Sequence, residues 1–510
     1  MRTQVKVPSA ANRPPPAPRR PGRGFGRRVD QTLLRWQARL DAAWADRVVP
    51  WAGATVLFVW YFWLALTRAD SLEPGSVLGS FAQAAWLIST GEGAEPTITG
   101  EHLLADHTPL VLWPIALVTR LLPTIPTLLG IQAAALAVGV VPLWRIARRV
   151  VHLRVGAAAA LGVAYGLHPA VQNLNLADFH PQTLAAAPLL AATYYGLERR
   201  WRRFWPFAVV AVLCAAEVGL VVAGLGVLLV LEGHRRHGMR ALAFGTAWTV
   251  VVVFVVQPVF GNAALLAPNA FGDYGESVLG VFGAMVTHPH QVLADVFAEA
   301  DVRLLVGLLA PLLFLPLLAP RYLIPAMPLQ FLALLAAVPL SGAAGAHHLV
   351  PTVPFAFVAA TFALSRIGRR SVERVLVDRR VVLAVVLAAV GFFALDASSS
   401  PYRAPWNWGD DTPLAEAVHA AADIVGDTNG VRASPVVLPL LAERTRVYEL
   451  DTSIPHAGRA TRNVQAVVLD DRTIPRWTDE DQMEFSRSVR ARGFELVYRN
   501  RGISVWLDLP

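Results

Sequence analysis

Asn175-Leu176-Ala177-Asp178-Phe179-His180-Pro181-Gln182 sets an acid, an imidazole, a proline and two amides between two strongly apolar runs. Isolated polar groups are costly in hydrocarbon, so such a cluster belongs at a membrane edge or in a cavity. The chain around it supports a membrane setting. Of 510 residues, 55% are hydrophobic and only 16% are charged, the composition of a polytopic membrane protein. The net charge of +8 does not point to nucleic acid. The basic residues fall in short clusters between apolar runs, which is the pattern of cytoplasmic loops facing anionic lipid. Cys214 is the only cysteine, so no intramolecular disulfide is expected.

Residues 1–29 hold Lys6, seven arginines, no acid and the run Pro14-Pro15-Pro16, and read as a disordered cytoplasmic tail. Leu33, Trp36, Leu40 and Trp44 recur at helical spacing, so residues 30–47 read as an amphipathic helix on the inner membrane face or packed on the protein. The first apolar run, Val48–Leu66, follows this basic leader without a small-residue cleavage site and is expected to remain as a span.

Charge parity orders the spans that follow. Thr124–Trp144 leads into Arg145, Arg148, Arg149 and Arg154, which belong inside. Pro109–Leu122 has 14 residues, short of the roughly 20 needed to cross, and is expected to be interfacial or re-entrant. Val155–Gln172 goes out, placing the Asp178 cluster outside, and Thr183–Leu197 returns. Phe204–Gly233 has basic clusters at both ends, so it should be two short helices turning near Glu217. Ala241–Phe260, Leu304–Pro320, Tyr322–Leu340, Pro351–Leu364 and Val381–Leu395 continue the alternation. The result is about eleven spans over residues 48–396, with the N-terminus inside and the C-terminus outside.

Residues 397–510 have the composition of a small extracytoplasmic α/β domain. Val436–Leu441, Arg446–Leu450 and Val464–Leu469 read as strands. Thr478 should cap a helix running to about Ala491, and Glu495–Arg499 with Ile503–Leu507 should form a hairpin.

Parity puts Asp106/His107, Asp178/His180, Glu217, Asp273/Glu276 and His347/His348 on one side. A shared cavity there would bind a charged lipid headgroup, a metal or a polar acceptor. Each has a plainer reading. Asp106 before Thr108-Pro109 fits a helix cap, Asp178 with Pro181 fits a turn, and His347-His348, Asp273 and Glu276 fit solvated loops. Glu217 lies in an apolar run without a local cation, which requires protonation or a partner from another loop. No Walker loop, dinucleotide glycine fingerprint, cysteine metal cluster or His-Glu-x-x-His helix is present.

Asp106-His107, Val141-Pro142-Leu143-Trp144-Arg145, Asp178-Phe179-His180-Pro181, Thr287-His288-Pro289, Leu315–Pro320, and His347 ahead of Pro351-Thr352-Val353-Pro354-Phe355 occur in this order. In these the chain resembles a family of uncharacterised bacterial polytopic membrane proteins. That family is similar in layout to the GT-C membrane glycosyltransferases, which use a polyprenyl-phosphate sugar and carry an acidic catalytic residue in the first external loop. The resemblance implies an all-α polytopic, GT-C-like fold in the bacterial cytoplasmic membrane. It also implies transfer of a sugar from a lipid-linked donor to an envelope acceptor, with membrane lipids but no nucleic acid as partners.

Within the resemblance Asp106 becomes the expected base, and Asp178 and Glu217 complete the catalytic set. His107, His180, Gln182, His347 and His348 would bind substrate, with a divalent ion (Mg or Mn) as the implied cofactor. Two departures bear on activity. The family's Leu-Gly-x-Phe-x-Gln frame is kept as Leu78, Gly79, Phe81 and Gln83, but its acid positions hold Val77 and Ala82. Its Lys-Glu-Asp triple is Ala215, Ala216 and Glu217. These losses support the alternative, a non-catalytic protein of lipid binding, transport or envelope assembly.

Overall fold

In the computed structural model the described residues are 41–70, 75–105, 107–261, 283, 286–290, 299–334, 351–370, 374–402, 413–428, 430–450, 461–471 and 478–508. The expected tail and most of the amphipathic helix, Asp106, Asp273, Glu276, His347 and His348 lie outside them.

Among the described residues three helices are long and apolar enough to cross a membrane: Ala45–Asp70 (α1), Thr124–Val150 and Arg235–Phe260. Only 28% of the apolar window of α1 and 22% of that of Arg235–Phe260 is buried inside the protein. Helices apolar on their exposed faces need a hydrocarbon solvent; in α1 Val56, Val59 and Trp63 point outward while Ala54, Tyr61 and Leu64 pack inward. The second span is α-helical from Thr124 to Val138 (α4) and Val140 to Arg145, and ends in a π-turn at Ile146–Val150. It therefore runs one turn past the expected end at Trp144.

Four shorter apolar helices, Val155–Leu167, Val218–Leu231, Val302–Leu312 and Val353–Ile367, accompany these. Pro109–Leu122 forms only Leu112–Thr119 (α3), about 12 Å long and too short to span. Trp201–Val212 and Val218–Leu231 are the expected pair of short helices, with their turn at 213–217. Gly226 and Gly238 let Val218–Leu231 press against Arg235–Val251: a Cβ on Gly226 would lie 2.3 Å from the Leu242 nitrogen.

The stretch 304–320 departs from the expected continuous helix. It unwinds after Leu309 into 3-10 turns at Ala310–Leu312, Leu315–Leu318 and Pro320–Leu323, with Leu313 and Phe314 at positive φ. Pro311, Pro316 and Pro320 each remove an N–H from the helical ladder. Only Met327–Leu334 of the expected span Tyr322–Leu340 is helical among the described residues.

Helix ends meet in two groups. At one end Arg148, fully buried, donates from Nε to Asp46 at 2.7 Å and from Nη1 to Asp41 and the Leu153 carbonyl, both at 2.7 Å. Trp144 Nε1 donates to the same Asp46 at 3.2 Å, and His152 and Leu153 pair with Val375. At the other end Gly75 meets Asp178, His107 meets Ala216 and Glu217, and Gln172 meets Ser399. Of the residues that charge parity puts on one side, His107 and Glu217 thus meet each other.

After a two-stranded ribbon of β1 Arg369–Arg370 and β2 Val375–Leu376, the C-terminal domain is a five-stranded sheet of order β4-β3-β5-β7-β6, with β3 Gly430–Ala433, β4 Arg446–Glu449, β5 Ala466–Asp470, β6 Phe494–Asn500 and β7 Ile503–Asp508. β3 runs parallel to both β4 and β5, and the others are antiparallel. The expected strand Val436–Leu441 is instead a 3-10 turn at Leu438–Leu441. Pro435 and Pro439 have no N–H for a ladder, so the strand forms upstream. There Gly430 fits because a Cβ would lie 2.8 Å from the Asn463 carbonyl oxygen. The hairpin turns on Arg501 and Gly502, both at positive φ as a type I′ turn needs. Thr478 and Asp481 form the capping box of Asp479–Arg490, and the Thr478 amide and hydroxyl hold the Asp481 carboxyl below its usual range.

Removing Arg148 would leave Asp41 and Asp46 without their buried cation. We expect Arg148→Ala to lower unfolding stability in mixed micelles by about 3–5 kcal/mol, whereas a change under about 1 kcal/mol would mean the cluster is solvated.

Candidate functional site

The site is built from three short segments at the Asp178 end of the helices. The first is the 310-helical stretch Pro181–Ala185 with the residues before it. The Asp178 carboxylate accepts from the Gly75 N–H at 3.1 and 3.2 Å and from the Leu78 N–H at 3.3 Å. It thereby caps the helix Ser76–Thr90 (α2), whose own N-cap, Gly75, has no side chain to do so. A carboxylate at this position also meets the positive end of the helix dipole. Asp178 is thus committed to positioning α2.

His180 is buried, its N–H donates to Gln132 Oε1 at 2.9 Å, and its Nδ1 lies 2.6 Å from the Asp178 carbonyl. Gln132 Nε2 in turn donates to the Leu174 carbonyl, so one amide ties both ends of the polar stretch to α4. Gln182 is 1% exposed, and neither its Oε1 nor its Nε2 has a hydrogen-bond partner among the described residues. Thr183 Oγ1 next to it is in the same condition. Unsatisfied amides this deep are rare and mark a place for a ligand group or ordered water.

The second segment is the turn between Trp201–Val212 and Val218–Leu231, and the third is the chain around His107. The Ala216 N–H donates to the His107 carbonyl at 2.8 Å, and the Val111 N–H to the Leu213 carbonyl at 3.0 Å. This pairing brings His107 Nδ1 to 3.2 Å from Glu217 Oε1. Glu217 is 3% exposed. The partner that an acid in an apolar run requires is therefore a histidine from a distant loop. Ala215 and Ala216, at two positions of the family triple, are fully buried.

The Leu-Gly-x-Phe-x-Gln frame proves to be a docking face for the C-terminal domain. Leu78 is buried, and Phe81 meets Phe179 edge-on with centroids 5.6 Å apart. Gly79 lies against Leu438 and Pro439, where a Cβ would approach their backbone to 3.2 Å. Gln83 donates to Thr97 Oγ1 at 2.9 Å and to the Arg444 carbonyl at 3.1 Å, and accepts from Ile98 N–H. Thr97 Oγ1 then exchanges hydrogen bonds with both the N–H and the carbonyl of Val447 on β4. Of the two acid positions, Ala82 is wholly buried in α2 and Val77 is exposed.

Gln132 and Thr97 were not singled out from sequence. A glutamine inside the run Thr124–Trp144 was the available signal for the first; nothing local marks the second. Among the described residues no group of three or more His, Cys, Asp and Glu side chains is placed to hold a metal. Mg²⁺ needs only one or two carboxylates when substrate phosphates complete its shell, and Glu217 is a carboxylate of that kind.

The sequence profile of a family described as "Predicted membrane protein (DUF2079)" matches residues 77–505. No curated protein matches the chain. ArnT from Cupriavidus metallidurans, solved bound to undecaprenyl phosphate, superposes with a TM-score of 0.51 at 14% identity, covering 92% of this chain and 99% of that one. At this identity the match shows a shared fold. Lower-scoring matches are the oligosaccharyltransferase of Archaeoglobus fulgidus in the apo form (TM-score 0.46, 12% identity, 92% and 75% covered) and the arabinofuranosyltransferase AftD from Mycobacteria (0.42, 15%, 88% and 40%).

If Asp178 holds α2 as described, Asp178→Ala costs about 1–2 kcal/mol and speeds hydrogen exchange at the Gly75 and Leu78 amides, while Asp178→Asn loses less because an amide oxygen still caps. Unchanged exchange at both amides in Asp178→Ala would remove the capping role.

Proposed function

The chain belongs to the DUF2079 family of predicted membrane proteins, and from that premise we propose that it is a membrane glycosyltransferase of GT-C type. It would transfer a sugar from a polyprenyl-phosphate donor to an acceptor on the extracytoplasmic side of the cytoplasmic membrane. The observation that carries this reading is the His107–Glu217 pair, assembled from two loops at one end of the helices, in the same half of the molecule as the unsatisfied amide of Gln182. The fold shared with ArnT, a protein solved with undecaprenyl phosphate, supports the donor class.

In this reading Asp106, adjacent in sequence to His107, is the general base. It removes the proton from an acceptor hydroxyl as that oxygen bonds to the anomeric carbon. The bond from that carbon to the phosphate oxygen breaks, and the phosphate leaves on its lipid with the electron pair. Glu217 fixes the His107 ring, and His107 supplies positive charge toward the departing phosphate. Gln182 binds a sugar hydroxyl with its unsatisfied amide, while Asp178 and His180 hold the surrounding backbone. His347 and His348 join as further substrate contacts. A divalent ion, Mg²⁺ or Mn²⁺, would be held by Asp106 and Glu217 and would neutralise phosphate charge. The C-terminal domain would stand outside the membrane, as charge parity places it.

One observation favours a second reading, a non-catalytic lipid-binding or envelope-assembly protein. Ala82 is buried where the family carries an acid, and Asp178 is spent on a helix cap. A transfer assay in membranes with polyprenyl-phosphate sugars separates the two. Asp106→Asn should lower transfer about 10²–10⁴-fold with no change in thermal unfolding, and Glu217→Gln should lower it without loss of fold. Chelation should lower it further and added Mg²⁺ or Mn²⁺ restore it. Transfer unaffected by Asp106→Asn would refute the assignment of the base; no transfer by the native chain with any donor would favour the second reading.

A further inference from the structure

A cavity of about 170 Å³ lies between the membrane helices and the C-terminal domain. Leu78, Ile125, Pro126 and Pro439 form apolar walls, and among the described residues Asp70 and His419 are its ionisable ones. His419 belongs to the helix Pro413–Val425, and Asp70 is the last residue of α1. Val436 also lines the cavity, three residues beyond the end of β3. β3 has parallel neighbours on both sides, so this is where the strand order reverses. Open α/β sheets bind ligands outside the carboxyl ends of strands at such a point.

Pro126 also lines a second hollow, so the two meet at that residue. This one is an open groove of about 360 Å³ between α1 and α4, walled by Phe58, Phe62, Val118, Gly130 and Ile131. Its lining is apolar apart from Thr127, whose hydroxyl is turned to the Pro123 carbonyl at 2.7 Å. Phe58 and Phe62 stack at 5.6 Å, which makes one wall stiff. Gly130 lets Phe62 close on α4, since a Cβ there would lie 3.2 Å from the ring. Both flanking helices belong to segments long and apolar enough to span, which puts the groove in hydrocarbon. An apolar groove in the bilayer and a cavity with an acid and an imidazole, sharing Pro126 as a wall, together match the two ends of an amphiphile.

We propose that groove and cavity together bind one membrane lipid, with its hydrocarbon chain along Phe58, Phe62 and Val118 and an uncharged, hydroxyl-rich head at Asp70 and His419. The chemistry selects the head. The Asp70 carboxylate accepts hydrogen bonds from hydroxyls and repels a phosphate monoester, and His419 donates and accepts. Arg68, which would favour a phosphate, lines the neighbouring small cleft beside Asp178 and not this cavity. A lipid with a phosphate head is therefore disfavoured at this cavity. If the transfer reading holds, this lipid is the acceptor; that clause alone rests on it.

The test uses the full chain reconstituted in phosphatidylcholine vesicles. Trace monogalactosyl diacylglycerol or phosphatidylglycerol is added, each with a photoactivatable diazirine in the acyl chain. After illumination, labelled peptides are mapped by mass spectrometry. We expect label on α1 and α4, with the galactolipid favoured about tenfold, as hydrogen bonds to a charged group allow. Asp70→Asn should abolish the preference. Val118→Trp, at an exposed position of the groove wall, should reduce labelling by both lipids with unchanged thermal unfolding. Equal labelling by the two lipids, a preference that survives Asp70→Asn, or more effective competition by undecaprenyl phosphate than by galactolipid would overturn the proposal. No transfer is needed for labelling, so a chain without transferase activity still answers it.

Discussion

One carboxylate orders the end of the helices at which the candidate site lies. Asp178 reaches across about a hundred residues to accept the first amides of α2, and α2 has no other side-chain cap at its N-cap residue. A helix N-terminus left bare beside hydrocarbon would strand its N–H groups, so the cap decides where α2 starts and which face it turns inward. The rest follows from that orientation. Phe81 comes against Phe179, Gly79 against Pro439, and Gln83 reaches Thr97 and Arg444. The C-terminal domain is seated on the membrane helices through this element and the Thr97 stretch that follows it.

The same economy explains why the polar residues of the apolar segments are where they are. Arg148 has two carboxylates and a carbonyl, and Glu217 has His107. Gln132 is used at both ends and Gln172 binds Ser399. Gln182 differs from these in that both ends of its amide are left unsatisfied among the described residues, beside the unsatisfied hydroxyl of Thr183. A neighbouring amide and hydroxyl open together in the polar stretch suit a bound polar group better than they suit stability.

Some of the site was legible beforehand because hydrocarbon makes polar residues conspicuous. The turn near Glu217 followed from basic clusters at both ends of one long apolar run, and the shortness of the helix Leu112–Thr119 from the length of its apolar run. The 310 turn at Leu438–Leu441 was misread as a strand because its apolar pattern suits either, while Pro435 and Pro439 decide between them. The proline-broken stretch after Leu309 was misread for the same reason, since composition alone does not register missing N–H groups.

What the sequence determined by itself is the solvent and the layout: a long apolar chain with basic clusters at intervals belongs in a bilayer, and the late change of composition marks a sheet domain. Which polar group meets which was decided only by the tertiary structure. Asp178 reads equally well as a catalytic residue or as a turn former, and His107 as a substrate contact, because a side chain's role depends on the groups facing it. Those groups, Gly75 and Leu78 for one and the Glu217 loop for the other, lie about a hundred residues away, where no local pattern reaches.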